Sequence, residues 1–181
     1  MKETDAIRSI MNELGADDVA LFTTGMISRE AQSISDRPNN FYMIGSMGLL
    51  SSMGLGMALN SKKKIVVIDG DGAALMDMGT MALIAFEKPK NLIHIVIDNG
   101  SYCSTGRQPT ISKKVPLDKI AKAAGYKTVK RISSLSGLKG ILRSASPAFI
   151  LLKVKADPGL EPPRIKATPV ELKNRMMRSF K

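Results

Sequence analysis

Two oxygen-bearing side chains follow two apolar segments of this 181-residue chain. Asp71 stands between two glycines after KIVVID (64–69), and Asn99 directly follows NLIHIVID (91–98). The 28 positions that separate them fit one strand–helix–strand unit, so both side chains are expected at the carboxyl edge of a parallel sheet, where ligands bind. One anionic and one neutral oxygen ligand suit magnesium or calcium, with positions left for phosphate oxygens. The spacing therefore predicts a site for a metal-bridged diphosphate.

The residues around Asp71 support this interpretation. Gly70 and Gly72 allow a ligand to approach the backbone, and a helix that begins near Ala73 offers N–H groups to an anion. Taken alone, Gly-Asp-Gly and Asn99-Gly100 are typical of an ordinary turn and an ordinary strand exit, because turn residues are selected for conformation. Their combination at one βαβ spacing favours the ligand site. No G-x-G-x-x-G opens the helix, so a nicotinamide-binding Rossmann domain loses its main support.

The elements that position these residues are predicted from the hydrophobic pattern. Short runs rich in valine and isoleucine alternate with helical patterns, which indicates an α/β fold with a parallel sheet sandwiched by helices. We predict one domain over residues 1–157, followed by a C-terminal arm and short helix over 158–181. The predicted strands are 19–24, 64–69, 91–98, 127–132 and 148–154. The predicted helices are an amphipathic N-terminal helix, 46–60, 73–88, 116–125, 134–145 and a terminal helix from Thr168-Pro169.

Composition and charge exclude several classes of protein. The single cysteine excludes an intrachain disulfide framework, and one His with one Cys cannot form a structural zinc site. No uncharged apolar run reaches 18 residues and the N-terminus is not a signal peptide, so we expect a cytoplasmic protein without a membrane partner. Residues 111–181 carry 17 Lys and Arg against 4 Asp and Glu, so a basic nucleotide- or nucleic-acid-binding module is one alternative. Only eight aromatic residues are present, which disfavours a base-stacking platform, and we expect no nucleic-acid partner.

Four segments carry a resemblance to a known family. They are TTGMISRE, NFYMIGSMGLLSSMGLGMAL, GDGAALMDMG and NLIHIVIDNGSYCSTGRQPT. A GDG followed after 25 residues by DN is similar to the cofactor motif of the thiamine-diphosphate-dependent decarboxylases and acetolactate synthases. The four segments further resemble the sulfopyruvate and phosphonopyruvate decarboxylases, over about Val19 to Thr110. The resemblance implies the diphosphate-binding domain of this superfamily, with thiamine diphosphate and magnesium as cofactors.

The resemblance also implies the metal ligands. They are the side chains of Asp71 and Asn99 and the backbone carbonyl of Ser101. The gap before the asparagine is one residue longer than in the pyruvate decarboxylases, which leaves Asp98 as an alternative ligand. The Gly-Ser-Tyr that follows favours Asn99.

The cofactor-binding residues are implied in the same way. They are Thr24, Gly25, Gly45, Ser46, Met47, Gly70, Gly72, Ala73 and Tyr102. Backbone groups of Gly45 and Met47 are expected to hydrogen-bond the aminopyrimidine, and the Met47 side chain is expected to be the apolar wedge that bends the cofactor. Many relatives have a serine where this chain has Ala73, so backbone N–H groups are expected to bind more of the diphosphate here.

A partner chain is implied as well. Family members activate the cofactor with a glutamate in a separate pyrimidine-binding domain of roughly 150 residues, for which this chain has no room. The chain thus resembles the beta subunit of sulfopyruvate decarboxylases, which convert 3-sulfopyruvate to sulfoacetaldehyde and CO2 in coenzyme M biosynthesis. We expect an alpha subunit, at least two copies of each chain, and no certain catalytic residue here. A phosphonopyruvate decarboxylase half and an acetolactate-synthase-like chain are alternatives.

Four further features have milder interpretations. Arg29 and Arg107 are candidates for contact with a substrate anion, with surface salt bridges as the equal alternative. His94 lies mid-strand and is predicted to be a hydrogen-bonded core residue. Cys103 follows the metal loop and has no evident partner base, so we do not expect its thiol to act as a nucleophile. The arm 158–181 has few apolar residues and is expected to fold over a neighbouring chain or the cofactor entrance.

Overall fold

The computed structural model describes residues 1–157, 159 and 161–180. Within these residues the chain forms one six-stranded parallel sheet and a two-stranded antiparallel hairpin. The strands are β1 (Val19–Phe22), β2 (Asn40–Tyr42), β3 (Ile65–Gly70), β4 (Leu92–Asp98), β5 (Ser101–Tyr102), β6 (Gln108–Pro109), β7 (Thr128–Ile132) and β8 (Ala148–Lys153). The helices are α1 (Glu3–Glu13), α2 (Met26–Ile34), α3 (Leu50–Leu59), α4 (Asp71–Met76), α5 (Gly79–Glu87), α6 (Leu117–Ala124) and α7 (Pro169–Arg178).

The large sheet has the strand order β2-β1-β3-β4-β8-β7, with β5 and β6 forming the hairpin. Its central strands β3, β4 and β8 are buried almost throughout, because helices cover both faces. One face packs against α1 and α2, and the other packs against α3, α5 and α6. The predicted α/β sandwich is confirmed. All strands of this sheet run in parallel, so their carboxyl ends meet at one edge.

Strand β2 of the large sheet, the β5–β6 hairpin and helix α2 were not predicted. Strand β2 is only three residues long, and helix α2 follows β1 after a single short turn. Helix α3 begins at Leu50 rather than at residue 46, because Ser46 (φ 54°) and Gly48 (φ 94°) take left-handed backbone conformations that no helix can contain.

Two predicted helices were wrong in extent or type. The segment 73–88 is two helices, α4 and α5, separated at Asp77 and Met78. The segment 134–145 contains only two short 3-10 turns, Ser136–Leu138 and Ile141–Arg143. Gly140 (φ 73°) lies between the turns, so its left-handed conformation and the local serines interrupt the helical pattern.

The C-terminal arm folds back onto its own chain. Its predicted end residues, 158 and 181, lie outside the described residues. Helix α7 starts after a capping box between Thr168 and Glu171, as the Thr-Pro pair predicted. Arg175 of α7 bonds Asp36 at 2.9 Å and lies over the Tyr42 ring at 5.3 Å. Helix α7 is therefore held by β2 and the loop before it, within the same chain.

Among the described residues, no helix has the length and apolar character needed to cross a bilayer.

Candidate functional site

The carboxyl edge of the sheet gathers most of the predicted site residues around one small cavity. Strands β1, β3 and β4 end there, and the loops that follow them carry the polar groups. The predicted residues that line this cavity are Thr24, Met47, Gly70, Asp71, Gly72, Ala73, Asn99, Ser101 and Tyr102. Gly25 lies beside it in a neighbouring depression that Thr24 also lines. Residues that are far apart in the sequence therefore converge where the spacing predicted.

Asp71 is the anionic group of the cavity. It is the first residue of α4 and is only 2% exposed. Thr110 donates a hydrogen bond to its Oδ2. Burial raises the pKa of the Asp71 carboxyl, and the hydrogen bond from Thr110 opposes that rise. No lysine or arginine of the described residues lies within 4.0 Å of this carboxylate.

Asn99 lines the same cavity as Asp71, whereas Asp98 does not. The Asn99 Oδ1 accepts from the Ser101 N–H at 2.8 Å, and its Nδ2 donates to Glu3 Oε2 at 2.8 Å. Asp98 instead pairs with Lys153 Nζ at 2.5 Å and accepts from a serine hydroxyl, and it does not line the cavity. The geometry favours Asn99 over Asp98 as the oxygen ligand next to Asp71.

The glycines of the site differ in how strongly the structure requires them. A Cβ at Gly72 would lie 2.3 Å from Cε1 of Tyr102 and 3.1 Å from Cε of Met47, so only glycine fits without displacing the Tyr102 ring. Gly25 has φ 95°, a left-handed conformation that favours glycine. Gly70 meets only ordinary contacts, the nearest at 3.4 Å, so packing does not explain the glycine there.

The loop Gly-Ser-Met-Gly presents its residues to two different spaces. Met47 reaches the cavity of Asp71, while Gly45 and Ser46 are exposed and line an apolar groove next to α7. Ser46 holds a left-handed backbone conformation, which is uncommon for a residue other than glycine. Gly45 and Ser46 therefore do not line the cavity of Asp71, and their contact with the cofactor stays a prediction.

The chemistry of the cavity fits a divalent cation. Two buried carboxylates, Asp71 and Glu3, line it without a lysine or arginine within 4.0 Å in the part of the chain that the structure describes. The Oε1 atom of Glu3 is buried and has no hydrogen-bond partner among the described residues. Burial of uncompensated negative charge is costly, and a bound cation would remove that cost. The oxygen groups of Asn99 and Ser101 complete a set of hard ligands of the kind that magnesium prefers.

A larger cavity of about 640 Å³ adjoins the first and shares Glu3, Met26, Cys103 and Ser104 with it. The predicted anion contacts Arg29 and Arg107 both line it. Neither forms a salt bridge within the described residues, so the alternative interpretation of surface salt bridges is not observed.

Sequence reasoning missed a third arginine of this cavity. Arg164 lies in the segment between β8 and α7 and lines the same space as Arg29. The expectation that the arm covers the cofactor entrance could have indicated Arg164, which lies in that arm. Carboxylates line the cavity too, and burial raises the pKa of Glu30 to about 7, with further contributions from the charges of Glu3 and Asp157.

His94 lies in the core, as predicted. It is buried, with Nε2 3.1 Å from Asp69 Oδ2 and Nδ1 3.3 Å from the Tyr126 hydroxyl. Its ring packs edge-on against Phe149. His94 lines neither cavity and has no place in the candidate chemistry.

Comparisons with known proteins indicate which family this chain resembles. The model of the family "Thiamine pyrophosphate enzyme, C-terminal TPP binding domain" matches residues 23–154. A protein of Methanococcus maripaludis named sulfopyruvate decarboxylase subunit beta is 37% identical, and the match covers 97% of this chain and 96% of that protein. A protein of Streptomyces viridochromogenes named phosphonopyruvate decarboxylase is 39% identical over 94% of this chain. This chain spans only 44% of the length of that Streptomyces protein.

A solved structure has the same fold. It is a thiamin diphosphate-dependent enzyme from Mycobacterium smegmatis, matched with a TM-score of 0.66 over 87% of this chain and 32% of the other. The sequence identity is 19%, so this match supports the fold alone.

Proposed function

The chain belongs to the thiamine pyrophosphate enzymes, as their C-terminal TPP-binding domain, and from this membership we propose that it is the beta subunit of a 2-keto acid decarboxylase. The proposed reaction converts 3-sulfopyruvate to sulfoacetaldehyde and CO2 in coenzyme M biosynthesis. Support comes from the nearly end-to-end match with a sulfopyruvate decarboxylase beta subunit. A phosphonopyruvate decarboxylase is the alternative, because a protein of that name is equally similar over almost the whole chain.

The observation that carries the proposal is the convergence of nine predicted residues on one cavity. Asp71, Asn99 and the Ser101 carbonyl would hold magnesium, and the backbone from Gly70 to Ala73 would hold the diphosphate. Bound thiamine diphosphate supplies the electron sink that lets a 2-keto acid lose CO2. The protein residues would bind and orient this group around the buried Asp71.

The specificity for an anionic substrate is proposed to lie in the larger cavity. Arg29, Arg107 and Arg164 approach it from α2, from the β5–β6 loop and from the arm, and none has a carboxylate within 4.0 Å among the described residues. Guanidinium groups bind tetrahedral oxyanions with two parallel hydrogen bonds. They suit a sulfonate or a phosphonate at the end of a 2-keto acid opposite its carboxylate.

A partner subunit is proposed to complete the site. The chain spans less than half of the Streptomyces relative but nearly all of the relative named subunit beta. Helix α5 carries an exposed apolar stripe of Ala82, Leu83 and Phe86, with Phe86 78% exposed, which is a surface that suits burial in a complex. We assign the activating glutamate to this alpha subunit, with at least two copies of each chain in the assembly.

Cofactor binding tests the proposed site. Asp71→Ala removes the anionic ligand, so magnesium-dependent binding of thiamine diphosphate should fall by at least about tenfold in isothermal titration calorimetry while the melting temperature holds. Asp17→Ala, at an exposed position, is the matched control and should bind as the unaltered chain does. Equal affinity in the Asp71 variant would refute the placement of the metal.

A further inference from the structure

The side chain of Glu3 reaches the metal cavity from a distant part of the chain. Glu3 lies in the first turn of α1, and its backbone N–H donates to the carbonyl of Lys155 at 3.0 Å, next to a β-bridge between Lys2 and Lys155. This backbone contact holds α1 so that Glu3 lines the cavity of Asp71. Glu3 is 2% exposed and lines both cavities. It precedes the segment 23–154 that matches the family model.

The two oxygens of Glu3 have different surroundings. Oε2 accepts a hydrogen bond from Nδ2 of Asn99 at 2.8 Å, while the buried Oε1 has no partner among the described residues. The nearby basic group, Lys2, is directed to Asp157 at 3.7 Å and is largely exposed. The structure thus brings a second carboxylate beside Asp71 and gives it no counterion within the described chain.

The hydrogen bond fixes which end of the Asn99 amide faces the site. An ionised carboxylate only accepts hydrogen bonds, so the amide must direct its Nδ2 at Glu3. The Oδ1 is then directed to the opposite side, where it meets the N–H of Ser101 at 2.8 Å in the metal loop. A rotated amide would place Oδ1 against the Glu3 carboxylate, and the two oxygens would repel each other. Glu3 therefore selects the orientation in which Asn99 offers an oxygen to a cation.

We propose that Glu3 is a positioning residue of the divalent-cation site, which orients Asn99 and whose second carboxylate oxygen draws the cation or a water bound to it. The inference rests on the proposed function, because it concerns the same metal. It extends the site to α1, beyond the residues that the Gly-Asp-Gly and Asp-Asn motifs assign.

Two substitutions separate the role of the charge from that of the hydrogen bond. Glu3→Gln keeps the size and an acceptor oxygen but removes the charge, whereas Glu3→Ala removes both. Asp5→Asn changes an exposed carboxylate on the same helix and is the control. The full-length chain is titrated with Mg²⁺ in the presence of excess thiamine diphosphate by calorimetry, and with Mn²⁺ by electron paramagnetic resonance. Melting temperatures are recorded without metal.

We expect Glu3→Gln to raise the Mg²⁺ concentration for half-saturation about tenfold, and Glu3→Ala to raise it by 10- to 100-fold. Asp5→Asn should match the unaltered chain. The metal-free Glu3→Gln chain should melt at a higher temperature than the unaltered chain, because the substitution removes a buried carboxylate that has no counterion. If Glu3 only supported the fold, the substitution would not combine higher stability with weaker metal binding. An unchanged Mg²⁺ dependence in both Glu3 variants would overturn the inference alone. An unaltered chain that binds no thiamine diphosphate at any Mg²⁺ concentration would overturn the proposed function and, with it, the role of Glu3.

Discussion

Replacing Glu30 by glutamine should stabilise the fold at alkaline pH and leave it nearly unchanged at acidic pH. Glu30 is 4% exposed, and its side-chain bond comes from the hydroxyl of Thr4 at 3.1 Å. No lysine or arginine of the described chain lies within 4.0 Å of it. Burial first, and then the negative charge of Glu3, raise the pKa of the Glu30 carboxyl from 4.5 to about 7.

The sign of the effect follows from proton binding. Between pH 4.5 and about 7 the folded chain holds this proton while the unfolded chain has lost it. Stability from Glu30 is therefore fully present below pH 4.5, declines as the pH rises towards 7, and is constant above that value. The displacement of the pKa corresponds to roughly 3 kcal/mol of lost stability at pH 8, at about 1.4 kcal/mol for each pH unit.

Glutamine cannot ionise, so Glu30→Gln should recover most of this loss. For a chain of this size we expect a rise in melting temperature of roughly 6–10 °C at pH 8 and little change at pH 4.5. Circular dichroism melts at both pH values measure the difference, with Glu87→Gln, at an exposed position, as the control. A Glu30→Gln effect of the same size at both pH values would refute the reasoning, since it would not come from ionisation.

Further predictions concern the cofactor cavity and the exposed helix. Gly72→Ala should push the Tyr102 ring aside, lower stability by about 1–3 kcal/mol and weaken thiamine diphosphate binding in calorimetry. The control is Gly56→Ala, at an exposed helical position with open space around it, which should instead stabilise the fold by about 0.5–1 kcal/mol. Destabilisation by both substitutions would contradict the packing argument. Met47→Ala should lower the turnover of the assembled enzyme more than its cofactor affinity, and unchanged turnover would remove the wedge role. Phe86→Glu should weaken assembly with the alpha subunit in analytical ultracentrifugation, and unaltered assembly would exclude α5 from that interface.

The hydrophobic pattern of short segments was sufficient to predict the central strands of the sheet. Strands β3 and β4 are continuous apolar runs, so their ends, and with them Asp71 and Asn99, could be located to within a residue or two. The segment 134–145 has apolar residues at helical spacing, yet its glycines and serines allow only short turns. Helix α2 was missed because its residues were interpreted only as part of a family motif.

The rest of the candidate site depends on tertiary contacts. Glu3 lies 96 positions before Asn99, and no local periodicity links α1 to the loop after β4. Arg164 lines the large cavity from the segment before α7, and Arg175 of α7 contacts Asp36 and Tyr42. Such contacts are absent from any single stretch of sequence, so motif reasoning found the ligand edge but not the residues that surround it.

The most direct test of the central claim is the release of CO2 by this chain with and without a pyrimidine-binding subunit. The purified chain is supplied with thiamine diphosphate and magnesium, and 3-sulfopyruvate and 3-phosphonopyruvate are offered separately, with and without the separately purified partner. We expect no turnover by the chain alone and turnover of 3-sulfopyruvate once the partner is added. Full activity of the isolated chain would contradict the assignment of the activating glutamate to another subunit.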